Sequence, residues 1–90
     1  MSAEELGKWL EEMLKGIVLA PEEVEVKVSK DEMGVLYTLK VNQRDVGRII
    51  GKKGANVQAI RSILHLAGLH HGIRASLKVD APELGERKTY

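Results

Sequence analysis

The sequence predicts an α+β domain in which three helices cover one face of a three-stranded sheet. Apolar residues recur at helical spacing in two long segments and alternate with polar residues in three others, and a capping signal opens a third, short helix. The predicted order is helix, strand, strand, helix, helix, strand. Two packed layers are the ordinary way to bury one face of such a sheet.

The first helix is predicted to begin at a capping box formed by Ser2 and Glu5. Its apolar stripe is expected to contain Leu6, Trp9, Leu10, Met13, Leu14 and Ile17. The opposite side is mostly charged, so this helix is expected to lie on the surface of a core. Pro21 is expected to end the segment, because proline cannot continue a helix interior.

Three segments have the alternation that is typical of half-buried strands. The first two are joined by the polar turn 30–34, which contains Gly34 and suits a hairpin. The third follows a break at Gly72. The apolar residues expected to define these strands are Val24, Val26 and Val28, then Val35, Tyr37, Leu39 and Val41, and finally Ile73, Ala75, Leu77 and Val79.

Two helices are expected between the second and third strands. Asn42 can cap a short helix that reaches about Ile49, with Asp45 in its first turn near the positive end of the helix dipole. A longer helix is expected from Ala55 to about Leu69. Its predicted core face consists of Val57, Ile60, Leu64 and Ala67. We therefore assign the folded domain to residues 1–80 and a flexible, polar tail to 81–90.

Composition narrows the classes of function. The 90-residue chain is the size of one domain, and it has no cysteine, which excludes disulfides, thiolate nucleophiles and cysteine-bound zinc. No apolar run approaches the length of a membrane span, so a cytoplasmic protein is expected. The three histidines, at positions 65, 70 and 71, are interpreted as surface residues. Neither a catalytic set nor a metal or cofactor site is expected.

Charge is unevenly distributed along the chain. Residues 1–32 hold nine acidic and four basic residues, a balance of −5, whereas five basic residues in 44–61 face only Asp45, a balance of +4. A basic cluster of this kind indicates a confined anion site. Charge alone fits a solvated helical face equally well.

The segment Gly51-Lys52-Lys53-Gly54 lies inside this basic cluster, between the two predicted helices. Glycines at both ends allow the main chain to approach a sugar–phosphate backbone closely. The two lysines supply positive charge, and the amides that open the following helix add to it. A phosphate-binding P-loop is excluded, because only three residues separate Gly47 from Gly51 and lysine follows the loop's first lysine.

The stretch VGRIIGKKGANVQAIR, residues 46–61, resembles the core motif of a KH domain. The order of elements resembles the type II KH arrangement, and the length and single KH unit are similar to the small bacterial KhpA-like proteins. The resemblance covers about residues 4–80. It implies single-stranded RNA binding without catalysis, in the manner of an RNA chaperone or post-transcriptional regulator.

The resemblance also implies which residues bind RNA. The matching positions are Gly47, Arg48, Ile50, Gly51, Lys52, Lys53, Gly54, Val57 and Arg61. The four loop residues would hold the RNA backbone. Gly47 and Arg48 would form a helix edge that the strand passes closely, Ile50 and Val57 the aliphatic wall of a groove, and Arg61 a basic contact. From the residues alone, Ile50 and Val57 also fit plain core positions, and Arg61 a solvated charge.

A second apolar stripe on the long helix suggests an alternative function. Ala59, Ile63 and Leu66 extend the apolar surface of this helix beyond what one sheet face is expected to bury. The protein would then be an interaction module that forms a homodimer or pairs with a larger KH-containing RNA-binding protein. The resemblance implies such a partner, and both functions can coexist.

Overall fold

The computed structural model describes residues 1–80, and the predicted tail at 81–90 lies outside this part of the chain. The main elements are α1 (Ala3–Lys15), β1 (Glu25–Asp31), β2 (Gly34–Lys40), α2 (Gln43–Ile50), α3 (Ala55–His70) and β3 (Ala75–Val79). Short 3-10 turns occupy Pro21–Glu23 and Lys52–Gly54. The predicted αββααβ order is confirmed.

The three strands form one mixed sheet in the order β1-β2-β3. β1 pairs antiparallel with β2, and β2 pairs parallel with β3, so that Tyr37 lies between Val28 and Leu77. A parallel pair requires a crossover connection, which α2 and α3 supply. The hairpin between β1 and β2 is closed by Asp31, whose carboxylate accepts hydrogen bonds from the amides of Met33 and Gly34.

The helices cover one face of this sheet and enclose the core. Its members include Leu6, Leu10, Leu14, Tyr37, Leu39, Ile49, Val57, Ile60, Leu64, Leu77 and Val79. The phenol of Tyr37 donates to the carbonyl of Ala3 at 2.8 Å, which ties the start of α1 to the central strand. At Gly68 the helix α3 approaches the chain before β3 so closely that an added Cβ would lie 2.5 Å from the Ile73 carbonyl oxygen.

Helix α1 begins as predicted and ends earlier than predicted. The hydroxyl of Ser2 accepts from the Glu5 amide and the Glu5 carboxylate accepts from the Ser2 amide, which confirms the capping box. The helix stops at Lys15, and the amide of Gly16 bonds back to the last turn. The predictions that Pro21 ends the segment and that Ile17 belongs to the buried stripe are wrong, because the chain has already left the helix and Ile17 is exposed.

The second apolar stripe of α3 remains uncovered, as the sequence suggested. Ala59 is exposed, and Ile63 and Leu66 are 44% and 66% exposed. Leu69 in the same helix is exposed as well. Among residues 1–80, no helix combines the length and apolar character that a membrane span needs.

Candidate nucleic-acid interface

The loop between α2 and α3 is a tight turn whose two glycines have positive φ. The Gly51 amide donates to the Gly47 carbonyl at 2.8 Å and ends α2, and the Gly54 amide donates to the Gly51 carbonyl at 3.2 Å. Gly51 has φ 75° and ψ 175°, and Gly54 has φ 79° and ψ 13°. Residues with a Cβ rarely adopt these conformations. The loop therefore requires glycine at both ends.

Lys53 adopts a left-handed conformation, with φ 57° and ψ 26°. It is the one non-glycine residue with positive φ among residues 1–80. A left-handed lysine costs free energy relative to its ordinary conformations, and such strain occurs often at functional sites. Both Lys52 and Lys53 are exposed. The turn thus presents two neighbouring ammonium groups to solvent.

Helix α3 begins at this loop without a side-chain cap. Ser2 caps α1 and Asn42 caps α2, but Gly54 at the start of α3 has no side chain that could accept a hydrogen bond. The Ala55 amide donates to the Lys52 carbonyl within the turn, and the first-turn amides of a helix together carry a partial positive charge. The lysine pair and the start of α3 therefore form one electropositive surface.

Two arginines from the flanking helices belong to the same part of the chain. The side chain of Arg48 is 51% exposed, with its Nε 4.0 Å from the Asp45 carboxylate, and Arg61 on α3 is half-buried. Within residues 1–80, neither lysine of the loop nor Arg61 forms a salt bridge. Gly47 is exposed, and an added Cβ there would meet no atom within 4 Å. The cations around the loop are thus largely available to an anion.

Ile50 and Val57 lie beneath the loop, in the core. Their exposed fractions are 7% and 0%, and both pack in the main apolar cluster. The sequence left open whether Val57 lines an RNA-binding groove or belongs to the core. In the free protein Val57 is a core residue and offers no surface to a base. Ile50 presents only a narrow edge. Both residues therefore anchor the ends of α2 and α3 that flank the loop in the core.

Comparison with known proteins identifies the family. The model of the KH domain of KhpA/KhpB matches residues 8–79, most of the chain. This protein belongs to the KhpA/KhpB KH-domain family. Its αββααβ order and mixed sheet are those of a type II KH domain.

Relatives of similar length support this assignment. The RNA-binding protein KhpA of Chlamydia pneumoniae is 35% identical over 74 residues, which cover 82% of this chain and 95% of that protein. The RNA-binding protein KhpA of Thermotoga maritima is 42% identical over 55 residues, which cover 61% of this chain and 73% of that protein. A crystal structure of Aquifex aeolicus Era bound to GDP·AlF4⁻ superposes with a TM-score of 0.53 at 20% identity. The superposition covers 86% of this chain and 28% of the Era chain. The two proteins therefore share a fold over this part.

Two residues of this KH domain were missed as parts of the site by reasoning from sequence. Asn56 donates from its side-chain amide to the Arg48 carbonyl at 2.8 Å, which links α3 to α2 across the loop. Asp45 lies in the first turn of α2, as predicted, but it is fully buried and accepts from the amides of Leu19 and Ala20. A polar residue two positions after the glycine loop was the available signal for Asn56. No local signal marks Asp45.

The histidines do not form a metal site within the part of the chain described. The rings of His70 and His71 meet edge to face with centroids 4.6 Å apart. Among residues 1–80, no three potential ligands of the histidine, cysteine, aspartate or glutamate type are placed to hold one ion.

Proposed function

We propose that this protein binds single-stranded RNA, without catalysis, by holding the RNA backbone with the loop 51–54. The observation that carries the proposal is the exposed lysine pair, held between two positive-φ glycines at the uncapped start of α3. The names of the relatives, RNA-binding protein KhpA, support it. In KH domains a GXXG loop clamps the backbone of about four nucleotides.

The chemistry of the loop favours contact with phosphates over contact with bases. Lys52 and Lys53 are flexible point charges that attract phosphate oxygens without selecting a base. Gly51 and Gly54 allow the main chain to approach, and the start of α3 adds the partial positive charge of its helix dipole. Arg48, Gly47 and Arg61 extend this surface along both helices, while Ile50 and Val57 lie in the core on either side of the loop.

This mode of binding suits a protein of low sequence specificity. The hairpin at 30–34 is short and acidic, so it adds little surface for reading bases. Micromolar affinity for short RNA is expected, as is a role in the cytoplasm as an RNA chaperone or post-transcriptional regulator. No cofactor takes part in this proposal.

Charge reversal at the two loop lysines tests whether the loop 51–54 binds RNA. Lys52→Asp/Lys53→Asp should abolish binding of a short single-stranded RNA, measured by fluorescence anisotropy. Aspartate tolerates the left-handed conformation at position 53 better than most residues, so the fold should survive. Lys27→Asp/Lys78→Asp is the matched control, because it changes net charge equally on the exposed sheet face. Normal binding by the loop variant, or equal loss in both, would contradict the assignment.

A second candidate function is suggested by the uncovered stripe of α3. The stripe consists of Ala59, Ile63 and Leu66, which are exposed together with Leu69 of the same helix, and such apolar surfaces often mark protein interfaces. We propose that this stripe mediates a homodimer or pairing with a second, larger KH-containing RNA-binding protein. The stripe and the glycine loop are separate features, so RNA binding and assembly are compatible.

A mass measurement tests the assembly function. Light scattering at micromolar concentration should give a mass above that of one chain for the wild type and a monomer for Leu66→Asp. Lys78→Asp, on the exposed face of the sheet, is the control and should keep the wild-type mass. A monomeric wild type would exclude the homodimer, and a single mass shared by all three proteins would exclude this stripe as its interface.

A further inference from the structure

Asn56 spans the glycine loop from the first turn of α3. Its side-chain Nδ2 donates to the main-chain carbonyl of Arg48 at 2.8 Å, although the two residues are eight positions apart. Arg48 is in the last turn of α2. The hydrogen bond therefore closes a ring that contains the whole of the loop 51–54.

The carbonyl that Asn56 contacts is one that a helix end normally leaves without a partner. The last carbonyls of an α-helix have no following amide within the helix. At the end of α2, the Gly51 amide donates a hydrogen bond to the Gly47 carbonyl. The Asn56 side chain donates to the next carbonyl along the chain, that of Arg48. A residue of α3 thus contributes to the C-terminal cap of α2.

The same side chain packs against the first glycine of the loop. A Cβ added to Gly51 would lie 2.6 Å from Asn56 Cγ and 2.8 Å from both its Nδ2 and its main-chain nitrogen. Such distances do not occur between real atoms of this kind. The bare Cα of Gly51 and the amide of Asn56 therefore fit together, and each restricts the other.

We propose that Asn56 is a positioning residue for RNA binding, which holds both ends of the loop 51–54 in the binding conformation before RNA arrives. The proposal rests on RNA binding by this loop. Ordering a flexible segment on binding reduces affinity, and a loop that is ordered in advance avoids that loss. The strained conformation of Lys53 needs such support, since an isolated turn would relax. Asn56 acts through the loop, without contacting RNA itself.

The test compares Asn56→Ala with Gln58→Ala, a neighbouring exposed polar position on α3. Hydrogen exchange of the RNA-free proteins is measured first. In Asn56→Ala the amides of Gly51 and Gly54 should exchange about 3- to 10-fold faster, as expected for the loss of one intramolecular hydrogen bond. Amides in the central strand β2 should be unchanged, because alanine is a good helix former at an exposed position. Gln58→Ala should match the wild type.

RNA titration of the same proteins is the second readout. Asn56→Ala should bind about 3- to 10-fold more weakly at every salt concentration, with the wild-type salt slope, because both lysines remain. Unchanged loop exchange together with weaker binding would mean that Asn56 contacts RNA directly, which overturns the proposal. Unchanged affinity despite faster loop exchange would overturn it as well.

Failure of the proposed function would look different. If the wild-type protein does not bind RNA, the function itself is wrong and a role of Asn56 in RNA binding is withdrawn with it. Loop exchange in the RNA-free protein would still show whether Asn56 orders the loop. The two failures are thus distinguishable.

Discussion

The carboxylate of Asp45 accepts a hydrogen bond from the buried main-chain amide of Ala20 at 3.0 Å. Its second oxygen accepts from the amide of Leu19 at 2.9 Å, and Asp45 has no exposed surface. Asp45 therefore joins the connection between α1 and β1 to the first turn of α2. Because α2 leads directly into the glycine loop, this contact helps to set where the loop lies on the domain.

Removing that carboxylate should destabilise the fold. Asp45→Ala would leave the buried amide of Ala20 and the partly buried amide of Leu19 without an acceptor, and an unsatisfied buried group costs about 1–3 kcal/mol. We expect the free energy of unfolding to fall by about 3 kcal/mol, measured by urea denaturation.

Asp31 provides a matched control for this prediction. Its carboxylate also accepts from two main-chain amides, those of Met33 and Gly34, but in an exposed turn. Water can replace the carboxylate in this exposed turn, so Asp31→Ala should lower the free energy of unfolding by less than about 1 kcal/mol. Similar costs for the two variants would show that burial of Asp45 does not matter for stability.

Two helix glycines should respond in opposite ways to alanine. Gly68→Ala places a Cβ 2.5 Å from the Ile73 carbonyl, and the backbone shift needed should cost about 1–3 kcal/mol. Gly47→Ala meets no atom within 4 Å, so it should stabilise α2 by about 0.5–1 kcal/mol. Thermal unfolding measures both effects, and stabilisation by Gly68→Ala would contradict the packing described.

Gly47→Ala also tests the path of the RNA. If the strand passes close to this helix edge, the added methyl group should weaken RNA binding several-fold even though the protein is more stable. Anisotropy titration alongside the melting curve measures the two quantities on one variant. Unchanged affinity would remove Gly47 from the proposed interface.

The salt dependence of RNA binding should count the phosphate contacts of the loop. Each lysine that neutralises one phosphate of a single strand contributes about 0.7 to the slope of log affinity against log salt. Lys52→Ala and Lys53→Asn should each reduce the slope by about that amount, with asparagine chosen because it tolerates the left-handed conformation. Lys78→Ala on the exposed sheet face should leave the slope unchanged. A slope that is the same in all variants would place the phosphates elsewhere.

The start of α1 should lose stability in acid. Hydrogen bonds from the main-chain amide and then the hydroxyl of Ser2 lower the pKa of the Glu5 carboxyl below its ordinary value of 4.5. A lowered pKa in the folded protein means that the stabilisation is present above pH 4.5 and disappears as pH falls through the folded-state pKa. Glu5→Gln keeps the cap without a titrating group.

The measurement for this prediction is the difference in Tm between the wild type and Glu5→Gln across pH 3–7. The wild type should be the more stable protein at pH 7, since a carboxylate near a helix start is favoured. The difference should shrink as pH falls below 4.5. A difference that does not change with pH would show that Glu5 contributes nothing through its charge.

The order of elements and the position of the loop could be predicted from sequence because their causes are local. Ser2 and Asn42 bond to amides within their own first turns, and strand alternation reflects the two faces of a sheet. The segment 51–54 contains glycine where positive φ is required. Each of these features depends on residues a few positions apart.

Tertiary structure alone decided the burial and the hydrogen-bond partners of the polar residues Asp45 and Asn56. Asp45 depends on amides 25 and 26 positions away, and Asn56 on a carbonyl across the loop. Val57 satisfies the same helical spacing whether it faces the core or a groove, and only packing against the sheet places it in the core. Periodicity determines which residues share a face, whereas burial depends on what the rest of the chain brings against that face.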